Sequence, residues 1–107
     1  MQLTIKDRYE LRKYVGALSC TLALRYAIEE FNRQIDFTPD EMVNYGIKVD
    51  ETTFEVMSSD DSYAIDVTSV PEAVVRSMKD YVNQYDVEQT KENPIIQKAI
   101  AAFRKVL

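Results

Sequence analysis

The 107-residue sequence contains no histidine, no tryptophan, one cysteine and only two glycines. Histidine is the side chain that most often acts as general base or metal ligand near neutral pH, so its absence excludes most catalytic constellations. Gly16 and Gly46 are too far apart to form a phosphate-binding glycine-rich loop. The single cysteine, Cys20, excludes an intramolecular disulfide and a thiolate metal cluster. We expect Cys20 to pack within a helix of a protein in the reducing cytoplasm.

Long apolar runs are also missing. No stretch approaches the roughly 20 apolar residues of a membrane-spanning helix, and residues 1–10 mix charged and apolar side chains, unlike a signal peptide. The chain has 46 % hydrophobic and 29 % charged residues, which are ordinary values for a folded globular protein. Its length fits one domain, residues 1–107, and we expect a cytoplasmic protein with no membrane contact.

The spacing of apolar residues predicts an α+β fold that begins with helical structure. Residues 3–35 have helical periodicity with two adjoining apolar stripes, which predicts one long N-terminal helix. Either Thr4, followed by Asp7, or Asp7 itself is its predicted N-cap. Gly16 weakens this helix and suits the close approach of another backbone. Thr38, Pro39 and Glu41 have the spacing of a capping box with proline at the first helical position, which predicts a second helix of about two turns.

After Gly46 the apolar period changes to two, which is typical of strands with one apolar face. Two such runs, residues 54–56 and 63–67, flank a polar turn and predict an antiparallel hairpin. In the expected register Val56 lies opposite Tyr63. Residues 47–49 are a possible third short strand, because a lone hairpin is only marginally stable.

Two further helices are predicted in the C-terminal part. A capping-box spacing at residues 69–72 and the helical period that follows indicate a helix that ends near Tyr85. Residues 86–92 are polar and aperiodic, which is typical of a loop. Asn93 followed by Pro94 indicates the start of the last helix.

Negative charge is concentrated in the middle of the chain. Residues 36–72 carry ten carboxylates and one lysine, a net charge of −9, whereas the segments before and after each carry +2. The carboxylates either keep the protein soluble and protect strand edges from aggregation, or steer it toward a basic partner. The candidate partner-binding residues are Asp50, Glu51, Glu55, Asp60, Asp61 and Asp66. Because the cations are scattered, we expect no direct binding to nucleic acid.

Aromatic residues give a second, weaker indication of binding. The seven tyrosines are spread over every predicted element, which favours packing roles for most of them. Tyr81 and Tyr85 lie one helical turn apart and are candidate aromatic anchors for a partner or for a second copy of the chain.

Neither a metal site nor a catalytic site is predicted. The oxygen-rich residues 58–66 lack the turn glycine and the twelfth-position glutamate of a calcium-binding EF-hand loop. Paired carboxylates serve a glycosidase only beside a deep cleft, and a chain of this length has little sequence with which to build one. We therefore expect no cofactor, no bound metal and no enzymatic activity.

The sequence favours a non-enzymatic intracellular binding domain, an adaptor or inhibitor that docks on a basic protein surface through the acidic helix and hairpin. A sharper form of this hypothesis is a nucleic-acid mimic of the kind that phages or mobile elements encode. The alternative is a structural or assembly subunit that forms a homodimer or larger homo-oligomer through apolar helix faces. A small enzyme or ligand-binding domain would instead show a polar cavity lined with tyrosines and carboxylates.

Overall fold

The structure, a computed structural model, describes residues 1–18, 21–85 and 93–107. Within these ranges it is a mixed α+β fold of five α-helices and two small antiparallel sheets, which confirms the predicted fold class. The elements in chain order are β1 (Gln2–Thr4), α1 (Ile5–Tyr14), α2 (Leu22–Ile35), α3 (Pro39–Asn44), β2 (Lys48–Val49), β3 (Val56–Met57), β4 (Ala64–Asp66), α4 (Glu72–Tyr85) and α5 (Pro94–Arg104).

The long helix predicted over residues 3–35 is divided into β1, α1 and α2. Of the two predicted N-caps Thr4 is confirmed, because its hydroxyl accepts the amide of Asp7 while the Asp7 carboxylate accepts the amide of Thr4. A 3₁₀ turn at Val15–Ala17 follows α1, and Leu18 then adopts an extended conformation with ψ 139°. Helical periodicity continues through this break because α1 and α2 each bury a stripe of similar spacing.

The break also shortens the apolar face expected of this segment. Leu11, Val15 and Leu18 are buried, whereas Leu22 and Tyr26 are 68 % and 63 % exposed. Gly16 lies in the 3₁₀ turn, and a Cβ atom placed on it would meet nothing within 4 Å. In the described structure, therefore, no backbone approaches Gly16 closely, contrary to the expectation. Cys20 lies outside the described residues.

The strand pairing differs from the predicted hairpin. β4 pairs antiparallel with β1, and β2 pairs antiparallel with β3, which places Val49 opposite Val56. The expected pairing of Val56 with Tyr63 is therefore wrong. Period-two spacing identifies a strand but not its partner, and β4 finds its partner at the N-terminus, in residues that lead up to the predicted helix start.

The short helix α3 is confirmed together with its cap. The Thr38 hydroxyl accepts the amide of Glu41, the Glu41 carboxylate accepts the amide of Thr38, and Pro39 occupies the first turn. Just after the helix, Gly46 has a φ of 56°, in the left-handed region that glycine enters without steric cost.

Helices α4 and α5 are confirmed, but α4 begins at Glu72 directly after Pro71, so the capping box predicted at residues 69–72 is wrong. The predicted loop at residues 86–92 lies outside the described residues. The Asn93 side chain caps α5 by accepting the amides of Ile95 and Ile96. No helix in the described ranges is long and apolar enough to cross a membrane. The fully buried hydrophobic side chains of the core include Leu3, Leu11, Phe31, Val74, Met78 and Phe103.

Candidate functional site

Residues 39–61 form a helix-and-hairpin substructure that we call the acidic unit; it contains seven carboxylates and one lysine. The amide and the hydroxyl of Ser59 donate to the Tyr45 carbonyl at 2.8 and 3.1 Å, which holds the segment after β3 against the end of α3. The ring of Tyr45 also stacks on that of Tyr63, with centroids 4.0 Å apart. The helix, the hairpin and the following loop are thus connected to one another.

Arg8 attaches the acidic unit to the helices. Its guanidinium donates two hydrogen bonds to the Glu41 carboxylate, at 2.8 and 2.9 Å. It donates two more to the carbonyls of Ile35 and Asp36, at 2.9 and 2.8 Å. The guanidinium carbon lies 4.6 Å from the centroid of the Phe37 ring. Arg8 is only 2 % exposed, and these partners offset the cost of burying its charge.

The sequence predictions did not identify Arg8 as a buried residue. Ile5, Arg8 and Leu11 are three residues apart and all lie on the buried face of α1. The sequence feature that could have identified Arg8 as buried is its position as a charged residue on an otherwise apolar helix face.

Glu41 is held in its ionised form. Its pKa is lowered from an ordinary value of 4.5 to about 2, mainly by the hydrogen bond from Arg8 and against the opposing effect of burial. The Thr38 amide and the Tyr63 hydroxyl, which donates at 2.9 Å, contribute to the same lowering. The same bond raises the pKa of Tyr63. All of these partners are residues of the same chain, so Glu41 stabilises the fold and is not available to bind a partner protein.

Other carboxylates of residues 36–72 also have cationic partners within the chain. Asp36 pairs with Arg12 at 2.8 Å, Asp66 with the N-terminal ammonium at 3.1 Å, and Glu72 with Arg76 at 2.9 Å. Asp66, one of the predicted partner-binding residues, therefore has a partner already and lies on β4, outside the acidic unit.

The remaining five predicted partner-binding residues all lie in the acidic unit: Asp50, Glu51, Glu55, Asp60 and Asp61. None of them forms an ion pair with a residue in the described ranges. Asp50 accepts the amides of Thr53 and Thr52, and Asp60 accepts the hydroxyl and the amide of Ser62. These bonds lower the pKa of both carboxyls, which keeps them charged.

The acidic unit also exposes apolar side chains. It contains five of the nine large hydrophobic residues exposed in the described structure: Met42, Val43, Val49, Phe54 and Met57, at 48, 81, 43, 60 and 51 % exposure. The sequence pattern had placed Val49 and Phe54 on the apolar face of the strands. Exposed apolar side chains surrounded by charged residues are typical of interaction surfaces.

Phe54 is fixed in an unusual backbone conformation. Its φ is 56°, the one positive value among the non-glycine residues that the structure describes. This left-handed conformation costs a non-glycine residue about 1 kcal/mol or more. The Asp50 amide donates to the Glu55 carbonyl and the Phe54 amide to the Asp50 carbonyl, both at 2.8 Å. The Tyr9 hydroxyl donates to the Phe54 carbonyl at 2.8 Å. These hydrogen bonds fix the backbone of the turn between β2 and β3, and the side chain of Phe54 in that turn is 60 % exposed.

The predicted aromatic anchors lie apart from the acidic unit, on α4. The ring of Tyr81 is 4.6 Å from that of Tyr85 and meets the Phe103 ring edge-on at 5.1 Å. Burial raises the pKa of Tyr81, as does the neighbouring Tyr85. Both tyrosines line a groove of about 460 Å³ between α2 and α4, in which Asp80 is the one carboxylate among the described lining residues. This groove resembles only in part the polar cavity expected of a ligand-binding domain.

A second groove, of about 490 Å³, lies between β3, α1 and α5. Its charged lining residues are Lys6, Asp7, Glu10, Glu55, Lys98 and Lys105. Because the two signs are equally represented, the groove favours neither an anionic nor a cationic ligand. In the described part of the chain, no three cysteine or acidic side chains converge as metal ligands would.

No family model matches the chain, and no curated protein or solved structure is significantly similar to it.

Proposed function

We propose that the protein is a non-enzymatic intracellular binding domain that docks on a basic surface of another protein through the acidic unit. One observation carries this proposal. The unit combines six carboxylates that have no ion pair with a described residue, Asp40 and the five predicted partner-binding residues, with five exposed apolar side chains. Charged groups of one sign raise the rate and specificity of association, while apolar side chains at the contact supply affinity.

The apolar residues favour this proposal over a purely solubilising role for the acids. Surface carboxylates raise solubility, but exposed side chains such as Val43 and Phe54 act against it. A surface that served solubility alone would have no physical reason to place both kinds of residue in the same 23-residue segment.

Nucleic-acid mimicry is a less well-supported form of the proposal. A phosphate backbone carries regularly spaced charge and has no apolar side chains. In residues 36–72, by contrast, four of the ten carboxylates are paired with residues that the structure describes, and apolar residues lie between the others. We therefore propose a partner whose cationic surface includes apolar groups.

Capture of partners from a cytosolic extract tests the proposal. The tagged full chain is compared with the E51K/E55K variant, and captured proteins are identified by mass spectrometry after low-salt and high-salt washes. Neither glutamate caps a turn or forms an ion pair within the described residues. The matched control is E29K/D80K, which changes the net charge equally at two exposed residues of α2 and α4.

We expect wild type and E29K/D80K to capture the same partner, which high salt releases, and E51K/E55K to lose it. Equal capture by the two double variants would contradict docking through the acidic unit.

A second candidate function, homo-oligomer assembly, is favoured by a different observation. Leu22 and Tyr26 lie one turn apart on α2 and are 68 % and 63 % exposed. Light scattering at micromolar concentration, for wild type and L22S/Y26S, separates the two candidates. An oligomer that the double substitution dissociates supports assembly through α2, whereas a monomeric wild type contradicts it.

A further inference from the structure

The turn that joins β2 to β3 presents one aromatic ring between carboxylates. Asp50, Glu51 and Glu55 surround Phe54 in sequence, and none of the three has an ion pair within the described residues. The Phe54 side chain is 60 % exposed. A contact centred on this ring would therefore be apolar and flanked by the carboxylates of Asp50 and Glu51, whereas Glu55 also lines the groove that contains Lys6, Lys98 and Lys105.

The ring is presented from a backbone that is already ordered. Asp50 holds the turn by accepting the amides of Thr52 and Thr53 on its carboxylate and the amide of Phe54 on its carbonyl. Tyr9 ties the Phe54 carbonyl to α1. A partner that binds an ordered loop loses less conformational entropy than one that must first order it.

Phenylalanine at position 54 is unfavourable for the stability of the fold. A positive φ in a hairpin turn is the usual place for glycine or asparagine, and an aromatic residue there costs stability. Because the ring is mostly exposed, its burial offsets little of this loss of stability. A binding role would account for an aromatic residue at this position.

The charge around Phe54 selects among the possible occupants. An anionic lipid surface or a nucleic acid would be repelled by the carboxylates. A second copy that bound through the same turn would bring like charges together, which also disfavours it. A protein segment that carries lysine or arginine beside apolar side chains complements both the ring and the carboxylates that flank it.

From this arrangement we propose that Phe54 is the central anchor of the docking surface, and that it binds a cationic amphipathic segment of the partner protein. The inference rests on the proposed function and adds to it the residue that gives affinity and the kind of segment that is bound.

A defined peptide tests this inference without knowledge of the natural partner. The probe is a fluorescein-labelled 14-residue peptide of leucine and lysine, patterned as an amphipathic helix, and its binding to the full chain is followed by fluorescence anisotropy. A second peptide has serine in place of every leucine, so that its charge is unchanged. The protein variants are F54G, E51K/E55K and, as a control, I95S, which removes an apolar side chain that is 69 % exposed on α5.

We expect wild type and I95S to bind the leucine peptide equally, and F54G to bind it at least tenfold more weakly. F54G should retain its folded stability, because glycine adopts the backbone conformation of residue 54 freely. The serine peptide should bind weakly, and with the same affinity to wild type and F54G.

Three results would overturn the inference. If F54G binds the leucine peptide as well as wild type while E51K/E55K does not bind it, the carboxylates contribute to docking and Phe54 is not the anchor. Failure of wild type to bind the leucine peptide would contradict the proposed partner segment, and extract capture would then test the proposed function separately. Self-association of wild type that F54G abolishes would assign the ring to a homo-oligomer interface.

Discussion

Arg8 and Glu41 form a bidentate ion pair, with N–O distances of 2.8 and 2.9 Å, that joins α1 to the first turn of α3. The side chains of Arg8 and Glu41 are 2 % and 12 % exposed, so water screens the pair little. Because Arg8 also donates to the carbonyl of Ile35, the last residue of α2, and to that of Asp36, which follows it, one side chain fixes the position of the acidic unit relative to two helices.

Loss of the Arg8 side-chain charge should destabilise the fold strongly. R8M leaves Glu41 without its cation and two carbonyls without their donor, which we expect to lower the free energy of unfolding by about 3 kcal/mol. R12M removes only the Arg12–Asp36 pair, whose side chains are 52 % and 50 % exposed, and should cost less than about 1 kcal/mol. Urea unfolding measures both, and equal losses would contradict the role of Arg8.

Acid should weaken the protein in part through Glu41. The pKa of Glu41 is about 2 in the folded protein and near 4.5 when unfolded, so the unfolded state binds more protons between these values. The stability contribution is therefore complete above pH 4.5 and is lost as the pH falls toward 2.

Urea unfolding of wild type and E41Q between pH 2.5 and 6 measures this effect. The difference in unfolding free energy between the two should shrink steadily as the pH falls. E41Q should still lose some stability in acid, because the pKa values of Asp50 and Asp60 are also lowered. A difference that does not vary with pH would refute the assignment.

Glycine at residue 54 should not destabilise the protein. Relief of the positive φ outweighs the added freedom of the unfolded chain, so F54G should be as stable as wild type or more stable by up to about 1 kcal/mol. T52G, two residues earlier and without a positive φ, should lose about 0.5 to 1 kcal/mol, since Thr52 contributes only its amide to the turn. Thermal or urea unfolding compares them, and a destabilised F54G would show that the ring itself supports the fold.

Alanine at the two glycines should have opposite effects. Gly46 has a φ of 56°, so G46A forces alanine into the left-handed region and should destabilise the protein by about 1 kcal/mol. Gly16 has no positive φ and open space around its Cβ position, so G16A should stabilise by about 0.5 kcal/mol. Midpoints of urea unfolding give both signs, and a destabilised G16A would indicate a constraint at the turn after α1.

The sequence by itself determined the features that depend on residues within one helical turn of each other. The cap of α3 joins Thr38 to Glu41, and the cap of α5 joins Asn93 to Ile95 and Ile96. Both are visible as residue types at fixed spacing because the hydrogen bonds that define them are local. The concentration of carboxylates in the middle of the chain is likewise a property of the sequence.

The tertiary structure decided which carboxylates are free, which strands pair and which apolar residues stay exposed. Arg8 neutralises Glu41 from 33 residues away, and Met1 reaches Asp66 from 65 residues away. Leu3 pairs with Ile65, so the residues that lead into the first helix supply a strand that the spacing of apolar residues did not indicate. Spacing patterns in the sequence reflect only interactions between residues that are close along the chain. Burial, charge pairing and strand partnership depend on which distant elements pack together, and that is why the surface around Phe54 emerged only from the folded chain.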